Sequence, residues 1–176
     1  MKVIYPFVLA SLMACVYPSC KRIQVAEINV PFTLDFEAPV ASEDTAFVYE
    51  LVLNATDYPE FNNNKDRLQT LSLAGATLFL KEVRAGEGTV VNLSLYVADT
   101  SRNYLFLTDV NDYELRAGNK AYGLPLDDVA RGRLAEWLRS APHKAFIKIS
   151  GTASNPPYDA TFRIDIEVNQ KVKVLI

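Results

Sequence analysis

The 176-residue chain is expected to fold as an antiparallel β-sandwich, mainly β, with one late amphipathic helix over about residues 127–140. Three observations predict this. Short apolar runs alternate with polar residues at the two-residue period of a strand, turn residues punctuate them, and a single segment has a helical period. A parallel sheet needs long, usually helical, crossovers, and the pattern offers too few helices for them.

Ile28, Val30, Phe32, Leu34 and Phe36 alternate with Asn29, Pro31, Thr33 and Asp35, which describes a half-buried strand with one apolar face. Pro31 has no backbone donor, so the strand is expected along a sheet edge or at a bulge. Phe47 to Leu53 is apolar at both alternations apart from Glu50 and reads as a strand covered on both sides. After a polar loop at Asn62-Asn63-Asn64, Leu68–Leu73 and Ala76–Val83 read as two short strands with Gly75 at a bend or bulge. Gly86-Glu87-Gly88 is a turn signal, and beyond it Val91, Leu93, Leu95 and Val97 share one face, so the segment reads as the clearest hairpin.

Tyr104–Leu107 and Tyr113–Arg116 read as short strands, the second followed by an Ala117-Gly118-Asn119 turn. Three strands are expected at the end. They are marked by Ala145, Ile147 and Ile149, by Phe162, Ile164, Ile166 and Val168, and by Val172, Val174 and Ile176, with connections at Asn155-Pro156-Pro157 and Asn169-Gln170.

From Asp127 to Ser140 the apolar residues Val129, Ala130, Leu134, Trp137 and Leu138 fall on one helical stripe, with Asp127 placed to cap and Pro142 to stop the helix. Position on that stripe explains Trp137 as a core anchor rather than a ligand platform. The helix is expected to plug one end of the sandwich.

The first fifteen residues differ from the rest. Lys2 supplies one positive charge, Val3–Leu12 is a nearly unbroken apolar run, and Leu12-Met13-Ala14-Cys15 follows. This segment resembles the lipobox signal of bacterial lipoproteins, and the strand-rich chain behind it resembles small envelope lipoproteins of the Bacteroides group. The run is shorter than the roughly 20 residues that span a bilayer.

The resemblance implies a signal peptide at 1–14, lipidation of Cys15, and durable anchoring through several acyl chains. Cys20 is the alternative lipidation site, with a Ser19-Cys20-Lys21 junction similar to that of many Bacteroides-group lipoproteins. A tether over 15–26 and one domain over 27–176 complete the expected organisation. The location implied is the bacterial cell envelope at the outer membrane. Lys21 and Arg22 stand where surface-exported lipoproteins of the Bacteroides group often carry acidic residues, so the periplasmic and surface faces both stay open.

With two cysteines, one of them acylated, no internal disulfide is available. Loss of Lys2 leaves 17 basic against 21 acidic residues, which argues against nucleic acid as a partner. The lone His143 reads as a loop residue, and no metal or cofactor is expected. Asp109-Val110-Asn111-Asp112-Tyr113-Glu114 has oxygen-bearing side chains at alternating positions, but Glu114 stands where a calcium loop requires glycine, so it reads as a solvated turn. Asn54-Ala55-Thr56 and Asn92-Leu93-Ser94 match a glycosylation sequon inside apparent strands and read as chance, while Asp44-Thr45-Ala46 is similar to a Bacteroides-group O-glycosylation motif.

Aromatic residues gather at Tyr104, Phe106, Tyr113 and Tyr122, with Tyr58 and Phe61 flanking the asparagine loop. Exposed tyrosines suit sugar and peptide sites, so the ligand-binding candidates are Tyr58, Phe61 and Tyr113. The expected function is non-enzymatic, a module held at a membrane by its lipid and offered to a protein or glycan partner. Two alternatives stand beside it. One is a glycoside hydrolase built on paired carboxylates, or an accessory factor to one; the other is a fimbria-like subunit donating Lys171–Ile176 by strand exchange.

Overall fold

Alternation along the sequence becomes two packed antiparallel sheets. The computed structural model describes residues 23–38, 45–84, 88–116, 118, 121–155 and 159–175. The signal segment, Cys15, Cys20, Asp44, Gly86, Glu87, Ala117, Asn119, Pro156 and Pro157 lie outside the described residues. The elements are β1 (Ile23–Glu37), β2 (Ala46–Asn54), α1 (Pro59–Asn62), β3 (Leu68–Arg84), β4 (Val90–Ala98), β5 (Leu105–Glu114), β6 (Tyr122–Gly123), α2 (Asp128–Arg139), β7 (Lys144–Ala153) and β8 (Asp159–Leu175).

One sheet has the order β1-β8-β3-β6 and the other β2-β7-β4-β5. Consecutive strands change sheet at every connection except β4 to β5, which gives the eight-stranded jelly-roll arrangement of the β-sandwich. The core lies between the inner faces. Val30, Phe32, Leu78, Phe162, Ile164 and Val168 meet Leu53, Leu93, Leu95, Ile147 and Ile149 across it, all essentially inaccessible to water. Each such side chain contributes about 1.5–3 kcal/mol by leaving solvent.

β1 follows its expected pattern, with Val30, Phe32 and Phe36 inward and Pro31 outward on a strand that pairs only with β8. The edge position expected from the missing Pro31 donor is the one observed. Pairing already runs from Ile23, so the tether expected to reach Ala26 gives way to strand over its last four residues, opposite 172–175.

Four further expectations are corrected. β3 and β4 lie in different sheets, so the clearest expected hairpin is a crossover between layers; a turn signal between two apolar runs does not say on which layer the chain returns. The two short strands around Gly75 are one strand, with a bulge between Leu73 and Gly75. Asn169-Gln170 makes no turn, because β8 runs unbroken with Gln170 on its inward face, and the alternation simply continues through a polar residue. β2 is covered on one face alone, since Val48 and Val52 project outward into solvent.

Asp109–Glu114 also lies in a strand, not a solvated turn. Opposite Asn92 the pairing slips, and the bulge places Asp112 at a φ of 53°. The backbone N–H of Asp112 donates to Asn92 Oδ1 at 2.8 Å, so this sequon asparagine has a structural task. Asn54 has another, its Oδ1 accepting from Thr56 Oγ1 at 2.8 Å in the turn after β2.

Helix α2 forms as its sequence predicts. The Asp127 carboxylate accepts from the N–H groups of Val129 and Ala130 at 3.0 and 2.9 Å. Ala130, Leu134, Ala135 and Leu138 are buried and Trp137 packs partly against the core. Val129 is the exception at 69% exposed, because the buried stripe is centred on residues 130, 134 and 138 and leaves position 129 beyond its edge. α2 contacts strands of both sheets and so closes one end of the sandwich.

Candidate binding site on a sheet face

The outer face of β2-β7-β4-β5 is built by strand register. Glu50 on β2 lies opposite Lys148 on β7, Lys148 opposite Tyr96 on β4, and Tyr96 opposite Phe106 on β5. One row across the whole sheet thus holds a carboxylate, an ammonium and two rings. The neighbouring row is Val52, Phe146 and Ala98.

The β4–β5 loop folds back over these rows. Arg102, at a φ of 58°, reaches Glu50 in a 3.1 Å ion pair and lies over the Phe146 ring at 4.7 Å. Tyr104 donates its hydroxyl to Glu50. Burial, then the hydrogen bond to Glu50, raise the Tyr104 phenol above its ordinary value of 10.0, so it stays a neutral donor.

Lys148 stands over both tyrosine rings, 4.8 Å from Tyr96 and 4.5 Å from Tyr104. Lys144 covers Phe146 from 5.1 Å. Tyr96 and Phe106 meet edge to face at 5.9 Å, and Phe106 keeps 47% of its surface in water. Cations held over ring faces are worth about 0.5–1 kcal/mol each at exposed sites. The result is a pre-formed platform of rings, a phenol and ammonium groups, with exposed Val48 and Val52 at its margin.

The expected ligand residues sit elsewhere and are packed. Phe61 is fully buried and Tyr113 nearly so, with Tyr113 edge-on to Tyr122 at 6.2 Å. Tyr58 rests on Phe32 at 4.4 Å, and its hydroxyl is bonded to the backbone of Thr33. These three fit strand and turn packing, with short aromatic stretches beside a turn filling the core edge. Tyr104 and Phe106, read as part of an aromatic cluster, do reach the platform. Glu50, Tyr96, Phe146 and Lys148 were missed, although the outward register of each strand carries them.

Two acid-bearing depressions are open or ion-paired. Glu82 and Asp159 share a depression of about 340 Å³ with Arg84, and both are exposed. The groove between α2 and β3, about 520 Å³, holds Asp128 and Glu136, bonded to Arg131 at 2.6 Å and Arg133 at 3.0 Å. The carboxyls of Asp35 and Glu27 are both lowered below their ordinary values, chiefly by hydrogen bonds from Arg163 and Lys171 respectively. A catalytic acid needs the opposite displacement. Among the described residues no three His, Cys, Asp or Glu side chains gather to hold a metal ion. His143 is placed by a 2.9 Å contact from Nδ1 to the Leu138 carbonyl and by the Phe61 ring.

No family model matches the chain, and no curated protein matches it. Among solved structures the fold is similar to that of Desmodium yellow mottle tymovirus, with a TM-score of 0.36 at 9% identity over 100% of this chain and 96% of that one. Tobacco necrosis virus gives 0.37 at 10% identity over 86% and 97% of the two chains. The decameric BFDV capsid protein gives 0.36 at 13% identity over 85% and 99%.

Proposed function

We propose that the chain is a non-enzymatic, lipid-anchored protein of a bacterial cell envelope, at the outer membrane, whose β-sandwich binds a glycan. The anchor part of this reading rests on the lipobox resemblance at Cys15 or Cys20. Among the described residues no helix is long and apolar enough to cross a membrane.

The platform of Tyr96, Tyr104, Phe106 and Lys148 is the observation that carries the binding part. A sugar ring offers an apolar face to an aromatic side chain and hydroxyls to polar groups at its rim, and this face supplies both. Lys148 and Arg102, held by ring contacts and by Glu50, lose little freedom when a ligand arrives. Strand donation has less support, because Lys171–Leu175 is paired with β1 along its length and with β3 as far as Val172, and donation would break those pairings.

The test is a glycan array probed with the full-length protein in detergent, beside its Phe106→Ala variant. Binding of a glycan subset by the wild type that the variant loses supports the reading. No glycan bound above background, or equal binding by both proteins, overturns it and turns the search to protein partners.

A further inference from the structure

Strands β1 and β8 outrun their sheet. β3 begins at Leu68, opposite Val172, while β1 keeps pairing with β8 as far as Ile23 opposite Leu175. The pairs 23–25 with 173–175 therefore form a two-stranded ribbon beyond the third strand, projecting by about 10 Å.

The outer face of this ribbon is unlike the rest of the sheet. Ile23 and Val25 are 60% and 53% exposed and lie on the same side of β1 as Glu27. Lys173 stands opposite Val25 and Lys171 opposite Glu27, to which it is bonded at 2.8 Å. Two aliphatic side chains beside a pair of lysines, with one carboxylate among them, is the composition of surfaces that settle at a headgroup boundary. Lysine stems lie along the apolar region while their ammonium groups stay with phosphate.

We propose that this ribbon tip rests on the phospholipid surface, with Ile23 and Val25 at the headgroup boundary and Lys173 against lipid phosphates. The inference depends on the lipid-anchor reading above. Chain length selects the occupant. An extended chain spans at most about 3.6 Å per residue, so Ile23 lies within about 11 Å of an acylated Cys20 and about 29 Å of an acylated Cys15. The ribbon is the first described element an anchored chain reaches. Leaning it on the membrane turns the opposite layer, with its ring platform, away from the lipid and toward a ligand.

The full-length protein, reconstituted in vesicles of phosphatidylcholine and phosphatidylglycerol, tests this by tryptophan quenching with brominated lipid. Val25→Trp places a reporter on the ribbon and Val48→Trp places one on the opposite sheet face, with the native Trp137 signal subtracted from both. The expected result is a blue-shifted Val25→Trp emission quenched at least twofold more than that of Val48→Trp. Equal quenching in protein whose intact mass shows acyl chains overturns the ribbon contact and leaves the anchor reading standing. A mass without acyl chains overturns both. Crosslinking of Val25 to a second copy, with no lipid quenching, assigns the ribbon to self-association and overturns the proposal.

Discussion

The hydroxyl of Tyr58 serves both backbone groups of Thr33, accepting from its N–H at 3.0 Å and donating to its carbonyl at 2.7 Å. β1 is an edge strand, and these groups point away from its partner β8. Two residues earlier, Pro31 has no N–H to offer. One phenol and one proline thus blunt the middle of an edge that would otherwise template another strand.

Tyr58→Phe should cost about 1 kcal/mol, the usual net worth of hydrogen bonds lost at a partly wet site. It should also promote self-association through β1. Urea denaturation reads the first effect and light scattering at rising concentration the second. Unchanged scattering at equal foldedness would show that the edge is protected by other means.

Gly151 lies directly opposite Phe47, and a Cβ built on it would meet the Phe47 ring at 2.2 Å. The ring therefore covers the glycine on the inner side of an edge pair. Gly151→Ala should destabilise by about 1–3 kcal/mol, the range for overpacking. Adding Phe47→Ala should remove most of that penalty, so a double-mutant cycle measured by thermal unfolding should be strongly non-additive.

Gln170 is fully buried on the inward face of β8, between Ile28 on β1 and Leu71 on β3, with neither amide atom bonded to a protein group among the described residues. Gln170→Leu keeps similar bulk and removes the desolvated amide, so it should stabilise by about 1 kcal/mol. Chemical denaturation checks it, and a loss of stability would show that the amide is satisfied by internal water.

How far the sequence foretold this architecture varies with the physics behind each residue. Alternation in β1 and the Asp127 cap are local, and both are found where the sequence places them. The Gln170 interruption misleads because an isolated polar residue on an apolar face looks like a break, although the backbone ladder does not depend on that side chain. Layer assignment of β3 and β4 is set by long-range packing, which no local signal encodes. The platform was half legible: Tyr104 and Phe106 stand near each other in sequence, whereas Glu50, Tyr96 and Lys148 join them only through register across three strands.

Asp35 ties three strands together, bonded to Arg163 of β8 at 3.0 Å and to Lys81 of β3 at 3.4 Å. The hydrogen bond from Arg163 is the main reason its carboxyl lies below the ordinary 3.8, with burial acting against it and the charges of Arg163 and Lys81 with it. A lowered carboxylate stabilises the fold above its unfolded value, and the contribution is lost as pH falls through the folded one. Wild type should exceed Asp35→Asn by a fraction of about 1 kcal/mol at neutral pH, since the group is half exposed. That margin should shrink below pH 3.8. Thermal melts across the acid range measure it, and a margin independent of pH would contradict the ion-pair account.

The ring platform on β2-β7-β4-β5 is the proposed binding face. Calorimetric titration of the strongest array glycan into full-length wild type, Phe106→Ala and Val129→Ala separates the platform from general surface loss, because Val129 is an apolar residue on α2 more exposed than Phe106. Affinity should be at least about tenfold weaker for Phe106→Ala, a loss of about 1.4 kcal/mol, and unchanged for Val129→Ala. Equal affinities in all three proteins would contradict that assignment.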